Sequence, residues 1–190
     1  ESDILPFRFT NMVDNIATFI ESNKKLAEDV TKKTDERNNL LDLKAFTIAG
    51  NPKKTYLPPQ RLDEVPSFDF SSLDAAFVRL NASAWNYEKA LSKLQKGSLS
   101  AAKKSEINNI LKNVDQAMVS DVGLPRRDWF KNMIYAPGFY TGYGVKTLPG
   151  IREGLEQRNW NEVDTYIQEV AKALDRAAAK INMASNILSR

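Results

Sequence analysis

The C-terminal part of the chain carries the feature that most constrains its fold, a long apolar stripe. From residue 163 to residue 188, apolar residues recur every three or four positions, which is the repeat of one face of an α-helix. Asn159 is placed to cap this helix, and the alanine-rich run 171–179 lets a neighbouring helix approach closely. The stripe consists of Val163, Ile167, Val170, Leu174, Ala177, Ile181, Ala184 and Leu188. Such a stripe must be buried against other helices.

A second stripe lies near the N-terminus and predicts a helix over residues 9–33, with Thr10 or Asn11 as its cap. A weaker amphipathic piece follows over residues 38–46. Between residues 47 and 66, a glycine and four prolines forbid a regular helix and favour an extended, polyproline-like crossing. The sequence therefore predicts a strap over the surface.

Two further stripes lie in the middle of the chain, over residues 73–94 and 107–118. Their expected ends are Asp69 or Ser71 and Gly97 for the first helix, and Ser98 or Ser100 and a point before Gly123 for the second. Four long stripes without a convincing strand predict an all-α fold, a four-helix-bundle-like domain. The whole chain, residues 1–190, is expected to form one domain.

Two tryptophans do not follow this pattern. Trp85 lies beside the seam of its helix, and Trp160 stands in the first turn of the last helix. Each ring either closes a second layer of the core or faces another protein surface. Because bulky rings are usually buried within their own domain, the sequence predicts that both belong to the core.

The segment 135–150 is rich in both glycine and aromatic residues, and it is predicted to be neither helix nor strand. Five of the eight glycines fall between residues 138 and 154, so the backbone can turn sharply and approach another group closely. Its aromatic residues are Tyr135, Phe139, Tyr140 and Tyr143. They either form a binding loop or plug the end of the helical core.

Composition excludes several kinds of active site. The chain has no Cys and no His, which removes thiol nucleophiles, imidazole bases and most zinc sites. The formal net charge is only +3 and the two signs alternate along the helices, unlike a nucleic-acid surface. No apolar run is long enough to cross a membrane. A chain that starts at Glu1 is expected to be a fragment of a longer protein.

The strings 123–137, Tyr143 and 148–151 together are similar to a known family. The first reads Gly-Leu-Pro-Arg-Arg-Asp-Trp-Phe-Lys-Asn-Met-Ile-Tyr-Ala-Pro and the last Leu-Pro-Gly-Ile. This combination resembles the transferrin-receptor-like dimerisation domain, and within it the C-terminal helical domain of glutamate carboxypeptidase II and its homologues. The resemblance extends over nearly the whole chain and includes Leu5-Pro-Phe7 and the string 70–77.

The resemblance implies a homodimerisation domain of a larger two-zinc peptidase, in which a separate protease domain holds the zinc and the glycine-rich loop helps to close its substrate pocket. Tyr143 matches the family's loop Tyr, which binds the terminal carboxylate of the substrate. Gly142 stands where the glutamate-specific enzyme has Lys, so that point charge is missing, and Lys146 is the candidate to replace it.

Three functions follow from this resemblance. The domain serves as an assembly module, as an accessory that orders a peptide's C-terminal end for zinc chemistry elsewhere, or as a receptor or adaptor surface of a non-catalytic relative. Its partners would be a second copy and the parent's protease domain. A lumenal or extracellular position on a type II membrane protein, held only through an N-terminal anchor outside this chain, is also implied. The triplet Asn81-Ala-Ser83 is a glycosylation sequon that fits such a location, although such triplets also occur by chance.

Overall fold

The computed structural model describes residues 4–51, 53, 57–95 and 99–189. Its helices are α1 (Phe9–Asp42), α2 (Ala45–Ile48), α3 (Ser71–Lys93), α4 (Ala101–Lys112), α5 (Pro149–Gln157) and α6 (Trp160–Leu188), with a 3₁₀ turn at Asp115–Met118. Two short strands, β1 (Tyr135–Pro137) and β2 (Val145–Thr147), form an antiparallel hairpin. The predicted all-α class is confirmed.

Helix α6 is the centre of the fold, because its apolar stripe is buried along its whole length. Helix α3 packs along it in parallel: Arg79 bonds to Asp175, and further along both helices Ala90 and Leu188 line one cleft. Helix α1 lies antiparallel to α3, since Thr10 reaches Glu88 while its Lys24 bonds to Asp74 at 2.6 Å. The three helices enclose one continuous core.

Helix α1 is longer than predicted, because it continues through residue 33 to Asp42 and absorbs the start of the weaker piece. Thr34 and Asn38 are polar, but both are buried. The side chain of Asn38 exchanges two hydrogen bonds with the backbone of Leu62, at 2.9 and 3.1 Å. The apolar stripe gives way here to polar residues that hold the Pro-rich strap, so periodicity alone ends the helix too early.

The predicted helix starts are right to different degrees. Ser100 caps α4 by accepting the N–H of Lys103, and Asp69 accepts the N–H of Ser71 just before α3. Asn159 precedes α6 but makes no capping bond through its side chain. Helix α1 starts at Phe9, so Thr10 and Asn11 are not its caps. Gly97 and Ser98 lie outside the described residues.

The prediction that segment 135–150 contains neither strand nor helix is wrong at both ends. β1 pairs with β2 in the register Tyr135↔Thr147, and α5 begins at Pro149, where a proline suits the first turn of a helix. Between them Leu148 has a left-handed backbone (φ 46°) and donates its N–H to Ile134 at 2.8 Å. The hairpin therefore depends on a contact outside the loop.

The two tryptophans differ. Trp160 is half-buried and packs on Phe68 with ring centres 5.8 Å apart, as a core position requires. Trp85 is 62% exposed, so its predicted place in the core is wrong. The ring lies on the solvent side of α3, opposite the buried stripe that contains Leu80 and Ala84.

Candidate functional site

The Gly-Leu-Pro motif forms a tight turn that is locked to α6. Gly123 has φ 70°, and a Cβ added there would overlap the backbone of Asp128. Its carbonyl accepts the hydroxyl of Tyr166 at 2.6 Å. A Cβ on Gly150, at the start of α5, would overlap the ring of the same tyrosine. Glycine is needed at both places because Tyr166 packs between the turn and α5.

A buried ion pair joins this turn to the base of the hairpin. The side chains of Arg127 and Glu153 are only 4% and 3% exposed, and their charged atoms lie 2.7 Å apart. Arg127 also donates to the carbonyl of Pro137 at the end of β1. The other oxygen of Glu153 accepts the N–H of Phe139 at 2.8 Å. One charge pair therefore holds both Pro137, the last residue of β1, and Phe139, which follows the strand. These hydrogen bonds also stabilise the pair, because buried charges need hydrogen-bond partners besides each other.

A second arginine covers the first ring of the loop. Arg126 has a left-handed backbone (φ 61°) and its guanidinium lies 5.4 Å from the centre of the Phe139 ring. It also bonds to Glu162 in the first turn of α6. The hydrogen bonds that Arg126 donates to Glu162 raise the pKa of the Arg126 guanidinium above its usual value. Phe139 is therefore fixed between charged groups, while the residues after it extend into solvent.

The tip of the hairpin presents aromatic rings to solvent. Tyr140 and Tyr143 are exposed, Tyr143 completely so. The backbone curls back because Gly138 donates to Gly144 at 2.8 Å and Gly142 has φ 58°. The alternative in which these rings plug the core is wrong, since all four rings are exposed, including Phe139, which is the least exposed at 37%.

The other two predicted loop residues have distinct surroundings. A side chain added at Gly142 would meet no atom within 4 Å, although its positive φ favours glycine. The side chain of Lys146 is already paired, because its ammonium bonds to both oxygens of Glu156 at 2.8 and 2.9 Å. Glu156 also binds Arg152. The structure thus brings Tyr143 and Gly142 together at the tip and places Lys146, on β2, in a charge cluster with Arg152 and Glu156 of α5.

Asn81 lies apart from the hairpin, in the middle of α3 and half-buried. The hydroxyl of Ser83, the third residue of its sequon, is buried and bonds to the carbonyl of Leu80 at 2.7 Å. Oligosaccharide addition at Asn81 stays a prediction.

Sequence reasoning missed the ion pair that supports the loop. Arg127 follows a second arginine in a turn, and nothing local distinguishes the two. Glu153 gives a better signal, since its neighbours Gly150, Ile151, Gly154 and Leu155 are all buried on one short helix. A charged residue among such positions needs a partner, but this signal is readable only once α5 is recognised.

No group of three or more His, Cys, Asp or Glu side chains in the described part of the chain could hold a metal ion. Nor does any helix among those residues have the length and apolar character for a bilayer crossing. Residues 68–182 match the sequence model of the transferrin receptor-like dimerisation domain, which is more than half of the chain. The chain belongs to this family. The locked turn, the hairpin, helices α3 to α5 and all but the last six residues of α6 lie inside the region that matches this dimerisation domain.

Three relatives of this dimerisation domain are similar over parts of its length. A probable glutamate carboxypeptidase of Arthroderma benhamiae is 32% identical over 113 residues, covering 60% of this chain and 16% of the relative. The vacuolar protein sorting-associated protein 70 of Saccharomyces cerevisiae is 36% identical over 60 residues, which cover 32% of this chain and 7% of the relative. An inactive zinc metalloprotease of Schizosaccharomyces pombe is 25% identical over 137 residues, which cover 66% of this chain and 17% of the relative. The chain spans less than a fifth of the length of each.

Proposed function

We propose that this dimerisation domain assembles a larger glutamate-carboxypeptidase-like zinc metallopeptidase, and that its hairpin tip covers the substrate pocket of the protease domain. The observation that carries the proposal is Tyr143, whose ring is fully exposed on a loop that the buried Arg127–Glu153 pair holds in place. An exposed phenol on a rigid support is suited to a ligand outside the domain. The zinc would belong to the protease domain, since the described residues of this chain contain no group of His, Cys, Asp or Glu side chains that could hold it.

The phenol of Tyr143 would donate a hydrogen bond to the terminal carboxylate of a bound peptide. In a pocket closed from water, such a bond to a charged group contributes about 1.5–3 kcal/mol. Gly142 offers no charge next to it, and Lys146 could act on a substrate only by leaving Glu156. The site would therefore recognise the backbone end of a peptide more strongly than a glutamate side chain.

The test uses the full-length protein with Tyr143→Phe, and Tyr140→Phe as the matched exposed control. We expect Tyr143→Phe to lower kcat/KM for carboxypeptidase substrates by about ten- to a hundred-fold, since about 1.4 kcal/mol is tenfold. Tyr140→Phe should have little effect. Gly142→Lys should raise the preference for terminal glutamate. Equal turnover by the Tyr143→Phe variant and wild type would refute the role of the hairpin.

The second candidate is a receptor or adaptor domain of a non-catalytic protein. It is favoured by the relative from Schizosaccharomyces pombe, which is described as an inactive zinc metalloprotease. In this case the exposed aromatic tip would bind a protein rather than a peptide end. A full-length protein without measurable peptidase activity after zinc loading would support this candidate over the first.

The compartment is part of the same proposal. The yeast relative with a vacuolar sorting name and the sequon at Asn81 both support the lumenal or extracellular side of a membrane. Mass spectrometry of the protein from its own cells, with an oligosaccharide on Asn81 as the expected finding, tests this assignment.

A further inference from the structure

The positive charges around the hairpin are already engaged in ion pairs. Four cations lie on the hairpin, on α5 and in the turn beneath them, and each has a carboxylate partner at 3.1 Å or less. A partly buried cation binds a further carboxylate only by giving up the partner that it has. None of these four is therefore free for the side chain of a substrate glutamate. The pairs are Arg126 with Glu162, Arg127 with Glu153, and both Lys146 and Arg152 with Glu156.

The tip of the hairpin instead presents an aromatic ring on a fixed support. The ring of Tyr140 is 78% exposed and meets the ring of Phe139 edge-on, with ring centres 4.8 Å apart. Phe139 cannot move freely, because the guanidinium groups of Arg126 and Arg127 lie 5.4 and 5.8 Å from its ring centre. Its backbone N–H is bonded to Glu153. An exposed ring on such a support is suited to packing against an apolar group of a ligand.

The space beside this ring is open. A side chain added at Gly142 would meet no atom within 4 Å. Gly142 lies between Tyr140 and Tyr143 in a loop that the bond from the N–H of Gly138 to Gly144 closes. Three residues along the chain, the Cα atoms of the two tyrosines can lie at most about 11 Å apart. A peptide bound at Tyr143 through its terminal carboxylate can thus bring the side chain of its last residue against Tyr140.

We propose that Tyr140 and the open space at Gly142 receive an apolar side chain of the last residue of the substrate. The protein then prefers peptides that end in phenylalanine or leucine to peptides that end in glutamate. A carboxylate side chain placed there would lose water without gaining a cation, whereas an apolar side chain gains contact with the ring. The inference rests on the proposed function of the hairpin, and it names the class of substrate that the site takes.

The first test is steady-state kinetics of the full-length protein on two acetylated dipeptides that differ only in their last residue, phenylalanine or glutamate. We expect kcat/KM to be roughly tenfold higher for the phenylalanine peptide. Tyr140→Ala should lower this ratio about fivefold, chiefly through KM, because it removes a contact that substrate and transition state share. Tyr140→Phe should keep the ratio, since the ring remains.

Tyr135→Ala is the matched control, because Tyr135 is also an exposed tyrosine of the hairpin but lies at its base, on β1. This variant should keep the ratio of wild type. Equal kcat/KM for the two peptides in wild type, or a preference for the glutamate peptide, would overturn the inference. So would an unchanged ratio in Tyr140→Ala, or the same fall in Tyr135→Ala.

The second test measures binding without turnover, by calorimetry of the full-length protein with hydrolysis-resistant forms of the same two peptides. The phenylalanine form should bind with a roughly tenfold lower Kd, and Tyr140→Ala should raise that Kd about fivefold. If Tyr143→Phe lowers turnover but the two peptides bind equally, the proposed function stands and this inference fails. If the phenylalanine peptide binds selectively to a protein without peptidase activity, the inference stands and the peptidase role fails.

Discussion

At the scale of single residues, two buried tyrosines differ in what their hydroxyls do. Tyr166 donates to the carbonyl of Gly123 and so holds the motif turn on α6. Tyr87 packs edge-on against Phe9 with ring centres 5.2 Å apart, and its buried hydroxyl has no hydrogen-bond partner in the described residues. One hydroxyl therefore stabilises the fold, while the other is a cost that the core tolerates.

We expect Tyr166→Phe to lower the free energy of unfolding by about 1–2 kcal/mol, since it leaves the carbonyl of Gly123 unpaired. Tyr87→Phe, the matched control, should be neutral or stabilising, because it removes a buried polar atom. Urea unfolding at neutral pH measures both. A larger loss for Tyr87→Phe than for Tyr166→Phe would contradict this assignment.

The same variants have a pH signature. Burial raises the pKa of Tyr87 from 10.0 to about 12. A raised folded-state pKa gives stability that is present below the unfolded value and lost as the pH rises through the folded one. Between about pH 10 and pH 12, Tyr87→Phe should therefore lose less stability than wild type. Parallel stability curves for the two proteins would contradict the burial of this hydroxyl.

At the scale of elements, α1 and the Pro-rich strap form one unit. Asn38 accepts from and donates to the backbone of Leu62, while Arg158 bonds to Thr34 and to the carbonyl of Asp63. A strap without regular structure thus gains its order from side chains of α1 and from Arg158, the residue that follows α5. Its backbone groups are satisfied in this way instead of by a helix or a sheet.

We expect Asn38→Ala to lower the free energy of unfolding by about 1–3 kcal/mol, since it leaves two partly buried backbone groups of Leu62 unpaired. Amide exchange should quicken at residue 62 and leave α6 protected. Asn15→Ala, an exposed position on the same helix, is the control. Unchanged exchange at residue 62 would mean that the strap is held by its other contacts.

The elements also separate what the sequence can and cannot predict. Helices α3 and α6 follow from local periodicity. Ser100 correctly predicts the start of α4, but this helix ends at Lys112, and the rest of its predicted stripe lies in the 3₁₀ turn Asp115–Met118. The hairpin and α5 do not, because they depend on distant partners: Arg127 holds Glu153, and Ile134 accepts from Leu148. Of the candidate site, the exposed tyrosines could be predicted from the glycine-rich loop, whereas their buried support could not.

At the scale of the whole molecule, Trp85 is exposed although the sequence predicts a place in the core. Large rings are usually buried within their own domain, but a position beside the apolar seam of a helix can lie on either side of the seam. The sequon at Asn81 lies four residues earlier on the same helix, so an oligosaccharide there would share the exposed side of α3 with this ring.

The three tryptophans also turn the chain into its own set of optical probes. Trp85 reports on the solvent side of α3, Trp129 on the turn beside the hairpin, and Trp160 on the strap through its contact with Phe68. Variants that keep one tryptophan each would give separate emission signals for contacts made by the solvent side of α3, for ligand binding at the hairpin and for detachment of the strap. Events at the three places could then be followed without an attached dye.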